Sequence, residues 1–135
     1  MHAGLQFGWY WGKLYAGDVA ATWSSMMKTR VGSDPLLVLN IGEEEYFNVE
    51  PECIQFVVRD ICVRNGRILP QEFVLIVDTD DVSVYVTMTV LSTHHTRIGP
   101  IRYWRYHVKC LGSIVIGSKY VDVNNVQIAE FVRFR

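Results

Sequence analysis

Residues 82–92, with the sequence VSVYVTMTVLS, indicate the fold class most directly. Up to Val90 they alternate between apolar side chains and side chains that are polar or aromatic. Successive side chains of a β-strand point to opposite faces of the sheet, so this alternation predicts a strand with one fully apolar face. The apolar positions are Val82, Val84, Val86, Met88 and Val90. The chain is therefore predicted to be rich in β-structure.

Several other segments are rich in β-branched or aromatic residues and are also predicted to be strands. They are residues 35–41, 54–63, 71–77, 102–109, 113–116 and 119–123. Turn-forming pairs separate most of them, at Asn65-Gly66, Asp80-Asp81, Gly99-Pro100, Leu111-Gly112 and Gly117-Ser118. Because such pairs favour tight turns, neighbouring strands are predicted to form hairpins.

Helices are predicted near the two ends of the chain. Residues 5–15 are aromatic and broken by glycines, which favours an extended segment. Gly17 and Asp18 can then cap a helix that ends near Gly32. Its apolar side would use Val19, Ala20, Trp23, Met26 and Met27. From Asn124 onward the sequence fits either a short helix or a final strand.

The predicted architecture is therefore α+β: a central, mostly antiparallel sheet with one N-terminal helix and room for a short C-terminal helix. A length of 135 residues suits a single compact domain, 1–135, with a sizeable core. The opening residues lack the pattern of a secretory signal, so the protein is expected to be intracellular.

Charge is segregated along the sequence although the formal net charge is only −1. Residues 34–81 contain eleven acidic and three basic residues, whereas residues 94–135 contain seven basic and two acidic ones. Such a distribution can steer a protein toward an anionic surface with one part and toward a copy of itself with another. Solvated loops are the alternative explanation of the same pattern.

No pattern in the sequence predicts catalysis, a metal or a cofactor. His94 and His95 are adjacent, so on a strand they point to opposite faces and cannot share a metal ion. Cys53, Cys62 and Cys110 lack the short paired spacing of a zinc site. We therefore predict a protein that is not an enzyme and has no small-molecule substrate.

Basic and aromatic residues interleave in residues 102–109, as in a platform that stacks single-stranded nucleic acid. Alternation along a strand would place Arg102, Trp104, Tyr106 and Val108 on one face. A sheet edge with extended arginine side chains explains the pattern equally well.

The order of elements resembles the folded core of a rhabdovirus-type matrix protein over nearly the whole chain. The resemblance lies in Asp18-Val19-Ala20-Ala21 with Trp23, residues 36–42, a strand and loop from Ile54, residues 86–90, and residues 106–116 around Gly112. The basic N-terminal arm and the proline-rich late-budding motif of many such proteins are absent from this sequence. The resemblance implies a viral structural protein of the virion that self-associates beneath the envelope, condenses the nucleocapsid and dampens replication.

A second, local resemblance is to the Src-homology-2 domain of the suppressors of cytokine signalling. Leu5-Gln6, the run from Gly8 to Gly12, residues 93–98 and residues 126–132 look like parts of that domain. Ile76 or its neighbour stands where the phosphotyrosine-reading arginine belongs, which would remove the bidentate phosphate contact. This alternative implies a degenerate protein-binding module.

The matrix-type interpretation assigns roles to two groups of residues. Contact with nucleocapsid or an anionic membrane surface is predicted for Arg97, Arg102, Arg105, Lys109, Lys119, Arg133 and Arg135. A self-association arm, which would make the protein a homo-oligomer, is predicted for Trp9, Tyr10 and Trp11. The alternative for these three is that they are core aromatics.

Overall fold

The computed structural model describes residues 8–27, 33–42, 45–60, 62–64 and 67–134. Within these ranges the chain forms strands and one 3₁₀ turn, Pro51–Cys53, and contains no α-helix. The strands are β1 Gly8–Ala16, β2 Val19–Met27, β3 Ser33–Ile41, β4 Glu45–Asn48, β5 Ile54–Arg59, β6 Cys62–Arg64, β7 Arg67–Leu69, β8 Glu72–Asp78, β9 Val82–Ile98, β10 Ile101–Ile116 and β11 Lys119–Phe134. The prediction of a β-rich chain is confirmed.

Nine of the described strands form one curled antiparallel sheet in the order β4-β3-β2-β1-β11-β10-β9-β8-β5. Strands β6 and β7 form a separate two-stranded hairpin. The curl brings β3 into contact with β5, so the two sides of the sheet approach each other. One face of the sheet thereby encloses the core, and we call it the inner face.

The inner face is packed with apolar and aromatic side chains. Val82, Val84, Val86 and Met88 of β9 are all buried, as their alternation predicts. Two glycines of β1 make room for large rings on neighbouring strands. A Cβ atom on Gly12 would lie 2.7 Å from the Trp23 indole, and one on Gly8 would lie 2.7 Å from the Phe131 ring. Glycine is thus required at both positions by close packing of aromatic rings.

The predicted N-terminal helix is wrong, and with it the α+β fold class. Residues 19–27 form strand β2, which pairs with β1 across the turn at Gly17 and Asp18. The inward positions of β2 are Val19, Ala21, Trp23 and Ser25, a period of two. The sequence pattern was ambiguous because the apolar and small residues here fit both the helical period of about 3.6 residues and the strand period of two. Pairing with β1 favours the strand.

Two other predictions about β10 and β11 are corrected or resolved. Leu111-Gly112 is not a turn but lies inside β10, where Gly112 is in register with Val86. The segment from Asn124 is not a helix but continues β11 to Phe134, in register with β10 and then with β1. Pairing on both sides favours the extended conformation of the last segment, because each neighbour satisfies its backbone hydrogen bonds. In the described part of the chain, no helix has the length and hydropathy needed to cross a membrane.

Candidate functional site: an arginine row on the inner face

Three arginines lie side by side near one end of the sheet. Arg97 of β9 is in register with Arg102 of β10, and Arg102 is in register with Arg133 of β11. Residues directly opposite each other on neighbouring strands share a face of the sheet. Arg102 lies two positions from the buried Trp104, and Arg133 lies two positions from Phe131, which packs on the core. The three side chains therefore project from the inner face, and we call them the arginine row.

A β-bulge in β9 determines the direction of Arg97. Val90 pairs with Val108 and Ser92 pairs with His107, so Leu91 is an extra residue. Before the bulge the even-numbered residues of β9 face the core, and after it the odd-numbered ones do. A bulge can re-aim the side chains that follow it. If Leu91 instead continued the regular pairing that ends at Val90, Arg97 would lie opposite Ile101 and face away from Arg102.

Aromatic rings form a continuous floor next to the arginine row. His95, Trp104, Phe131 and Tyr10 occupy the next inward positions and are in register across four strands. Their ring centroids are separated by 4.6 Å, 5.4 Å and 4.2 Å in that order. Ser25 of β2 follows Tyr10 in the same row and is 1% exposed. We call the four rings of His95, Trp104, Phe131 and Tyr10 the aromatic floor.

Arg133 is distinguished within the arginine row by a buried guanidinium nitrogen. Its side chain is half-buried, and its Nε atom is buried without a hydrogen-bond partner. Burial raises the pKa of the Tyr10 phenol to about 12, and the positive charge of Arg133 opposes that rise. Arg133 also lies two positions from Phe131, which pairs with Tyr10 in the aromatic floor. Arg133 therefore presents an unmatched donor beside the floor, where an acceptor would lower the free energy.

Like charges directly opposite one another on a sheet destabilise it. Arg97 is exposed, and its Nε donates to the carbonyl oxygen of Gly99 at 3.3 Å. Arginine side chains recognise carboxylates and phosphates through their planar fork of N–H donors. The arrangement can therefore bind an anion, and the anion would offset the repulsion between the three guanidinium groups.

The other basic residues predicted to make contacts lie elsewhere. Arg105 and Lys109 project from the outer face of β10, because the residues that alternate with them are buried. Lys119 lies at the opposite end of the sheet, where its Nζ is 2.8 Å from an oxygen of Asp18. Arg135 lies outside the described residues. Of the predicted contact residues that the structure describes, Arg97, Arg102 and Arg133 lie together.

The predicted self-association arm is part of the sheet. Trp9, Tyr10 and Trp11 belong to β1, which pairs with β11 on one side and β2 on the other. Tyr10 points inward and is 7% exposed, whereas Trp9 and Trp11 are half-buried on the outer face. Only the two tryptophans are therefore placed to meet another molecule.

The described residues contain no group of three or more His, Cys, Asp or Glu side chains placed to hold a metal ion. His94 lies on the outer face against His107, while His95 stacks on Trp104 on the inner face. Burial raises the pKa of the Cys110 thiol to about 12, so this buried cysteine is not a thiolate at neutral pH.

Comparisons with known proteins find distant structural similarity but no related sequence. The sequence matches no protein-family profile and no curated protein. The fold is similar to a crystal structure described as an AttH from Nitrosomonas europaea, with 12% sequence identity and a TM-score of 0.49. The match covers 96% of this chain and 50% of that chain, so this chain spans half the length of that neighbour. Similarity at this level says nothing about function.

Sequence reasoning identified the three arginines but missed their common neighbours. Alternation along β10 correctly placed Arg102 on the same face as Trp104. His95 and Phe131 were not recognised, because their proximity depends on strand register across β9, β10 and β11. The available signal was the repeat of an arginine two positions from an aromatic or histidine ring in each of the three strands.

Proposed function

We propose that this protein is a binding module that captures an anionic group on its arginine row. The observation that carries the proposal is the register of Arg97, Arg102 and Arg133 on one face, with the Arg133 Nε buried and unmatched. The proposal keeps the prediction that these arginines contact an anionic partner and narrows it to one site.

The charge of the arginine row and its apolar surroundings both favour a binding role. A recess lined by charge of one sign, with an apolar wall behind it, concentrates the electrostatic field and attracts ions of the opposite sign. The aromatic floor supplies that wall, since Trp104 and Tyr10 are each only 7% exposed. Half-buried guanidinium groups are also less screened by salt than fully exposed ones.

Thermal stability with and without added anion tests the proposal. An anion that binds the folded state raises the melting temperature, and Arg133→Gln should abolish most of that rise. Without added anion, Arg133→Gln should leave the melting temperature unchanged or raise it, because it removes one of three like charges. Lys109→Gln is the matched control, since it removes a positive charge from the outer face of β10.

The control should keep the full response to anions. An equal response in wild type and Arg133→Gln would overturn the proposal, because the effect would then be a general one of salt. A large loss of stability in Arg133→Gln without added anion would also count against it, since Arg133 would then have a structural partner.

A matrix-type role, in which copies of the chain self-associate and link nucleocapsid to membrane, stays a prediction. The observation that favours it is an outer row of large side chains, where Trp11 and Leu36 flank Ser24 across three strands and Leu36 is 57% exposed. Sedimentation at low and high salt, with and without anionic liposomes, tests this role. Self-association together with liposome binding would support it, and a monomer that ignores lipid would contradict it.

A further inference from the structure

We propose that the captured anion is the terminal phosphate of a phosphomonoester, which enters head-first and leaves the rest of its molecule outside the sheet. This inference rests on the proposed function, because it names the ligand class of the same arginine row. It follows from the number of guanidinium groups, from the unmatched donor on Arg133 and from the closed packing of the aromatic floor.

The number of arginines favours a phosphomonoester over a carboxylate. Each carboxylate carries one negative charge and two oxygens, enough for a single bidentate arginine contact. A phosphomonoester carries a charge of about −1.5 to −2 at neutral pH and three strong acceptor oxygens. Arg97, Arg102 and Arg133 form one continuous row, so three acceptor oxygens match three neighbouring guanidinium groups. A phosphodiester has a single negative charge and two free oxygens, so it resembles a carboxylate in this respect.

The position of Arg133 gives the site an inner wall. Its Nε is buried and lacks a partner, so a phosphate oxygen placed beside it would accept a hydrogen bond that the protein itself does not provide. Arg97 at the other end of the row is exposed. The row therefore runs from a solvent-facing arginine to a half-buried one, which suits a ligand that enters from solvent.

The aromatic floor determines the direction of the ligand. The rings of Tyr10 and Phe131 are stacked, those of His95, Trp104 and Phe131 contact one another at tilts of 30° and 36°, and Trp104 and Tyr10 are almost fully buried. Little surface of Trp104 or Tyr10 remains for stacking with a nucleobase. An apolar tail could pass the floor only by displacing these rings. The charged end of the ligand therefore binds, and its remaining atoms extend away from the floor.

Calorimetric titration with small anions in chloride buffer tests the ligand class. Methyl phosphate should bind at least about tenfold more tightly than dimethyl phosphate or acetate, a difference of about 1.4 kcal/mol. If acetate binds as tightly as methyl phosphate, the phosphomonoester inference is overturned while the proposed function stands. If none of the three binds more tightly than chloride, both are overturned.

Two variants show whether the bound phosphate occupies the arginine row. Arg133→Gln should weaken methyl phosphate binding at least about tenfold, because it removes a charge-assisted hydrogen bond to the phosphate. The double variant Thr96→Arg with Arg97→Thr keeps the composition and net charge but moves one guanidinium to the outer face. It should also weaken binding, whereas Lys109→Gln should not. Equal affinities in all four proteins would place the phosphate elsewhere and overturn the inference.

Vesicles distinguish a lipid headgroup from a free phosphate. Phosphatidic acid presents a terminal phosphomonoester, and phosphatidylglycerol presents a phosphodiester. Binding to vesicles of the first lipid but not of the second, lost in Arg133→Gln, would assign the ligand to a lipid headgroup. Equal binding to both vesicles, or to neither, with tight methyl phosphate binding would assign it to a soluble phosphomonoester.

Discussion

Gly112 shows how closely neighbouring strands constrain one residue in the middle of β10. Its φ angle is +156°, and a Cβ atom at this position would lie 1.9 Å from the backbone oxygen of Tyr85. That oxygen belongs to the paired strand β9 and cannot rotate away as a side-chain atom could. A substitution would therefore push β9 and β10 apart between the arginine row and the far end of the sheet.

We predict that Gly112→Ala lowers the free energy of unfolding by about 3 kcal/mol, as overpacking does in a closely packed interior. Gly42→Ala is the control, because Gly42 also has a positive φ but a Cβ atom added there would have no other atom within 4 Å. The control should cost only about 1 kcal/mol, from its left-handed backbone conformation. Urea denaturation measures both, and equal losses would show that contact with β9 does not matter.

Tyr10 connects the aromatic floor to stability at high pH. Burial raises the pKa of its phenol to about 12 in the folded protein, whereas an exposed tyrosine titrates near 10. The unfolded chain therefore loses the proton before the folded one does. The stabilising effect of neutral Tyr10 is complete below pH 10 and is lost as the pH rises from 10 toward 12.

We predict that Tyr10→Phe makes stability less sensitive to alkali. Over the range from pH 10 to 12, the slope of unfolding free energy against pH should become shallower by up to about 1.4 kcal/mol per pH unit. Tyr46→Phe is the control, since Tyr46 is 65% exposed. Denaturation curves recorded between pH 9 and 12 measure the slopes. An unchanged slope in Tyr10→Phe would mean that this phenol is accessible to base in the folded state.

At the scale of elements, the bulge at Leu91 aims the second half of β9. It turns His95 and Arg97 toward the inner face, although the odd-numbered residues before the bulge face outward. Because Leu91 is the extra residue, its deletion would leave Ser92 opposite His107 and keep the later residues facing inward. Moving the guanidinium of Arg97 by one position has the opposite effect, since adjacent residues of a strand face opposite sides.

We therefore predict that deletion of Leu91 changes the free energy of unfolding by less than about 1 kcal/mol and preserves anion binding. The paired exchange Thr96→Arg with Arg97→Thr should preserve stability but weaken anion binding. Thermal melts with and without methyl phosphate measure both properties. If the deletion abolishes methyl phosphate binding while the exchange preserves it, the bulge does not determine the direction of Arg97 as described.

The sequence predicted those strands in which apolar and polar residues alternate over a long stretch. Val82 to Val90 alternates over a long stretch, and so does the face of β10 that carries Arg102, so both were assigned correctly. Strand β2 was mistaken for a helix because Val19, Trp23 and Met26 also fit a helical period. Alternation within single strands did not bring the three arginines together, because the arginine row depends on a bulge and on the register of three strands that tertiary pairing sets.

At the scale of the whole molecule, charge is distributed along the strand direction. The arginine row lies near one end of the long strands β9, β10 and β11, and Asp18, Asp78, Asp80 and Asp81 lie around the other end. The two ends of β9 are separated by on the order of 50 Å along the strand path. A distribution of this kind orients an approaching anion toward the arginine end. Part of the charge segregation in the sequence thus becomes a polarity of the folded sheet, although Lys119 lies at the aspartate end and Asp34 pairs with Met26 near the arginine end.

The most direct measurement is a titration of the arginine Nε–Hε signals by nuclear magnetic resonance, with methyl phosphate added at constant ionic strength. We expect the signals of Arg97, Arg102 and Arg133 to shift saturably with one common affinity, while that of Arg105 on the outer face stays in place. Small shifts of equal size in all four signals, without saturation, would contradict the claim that the arginine row is a binding site.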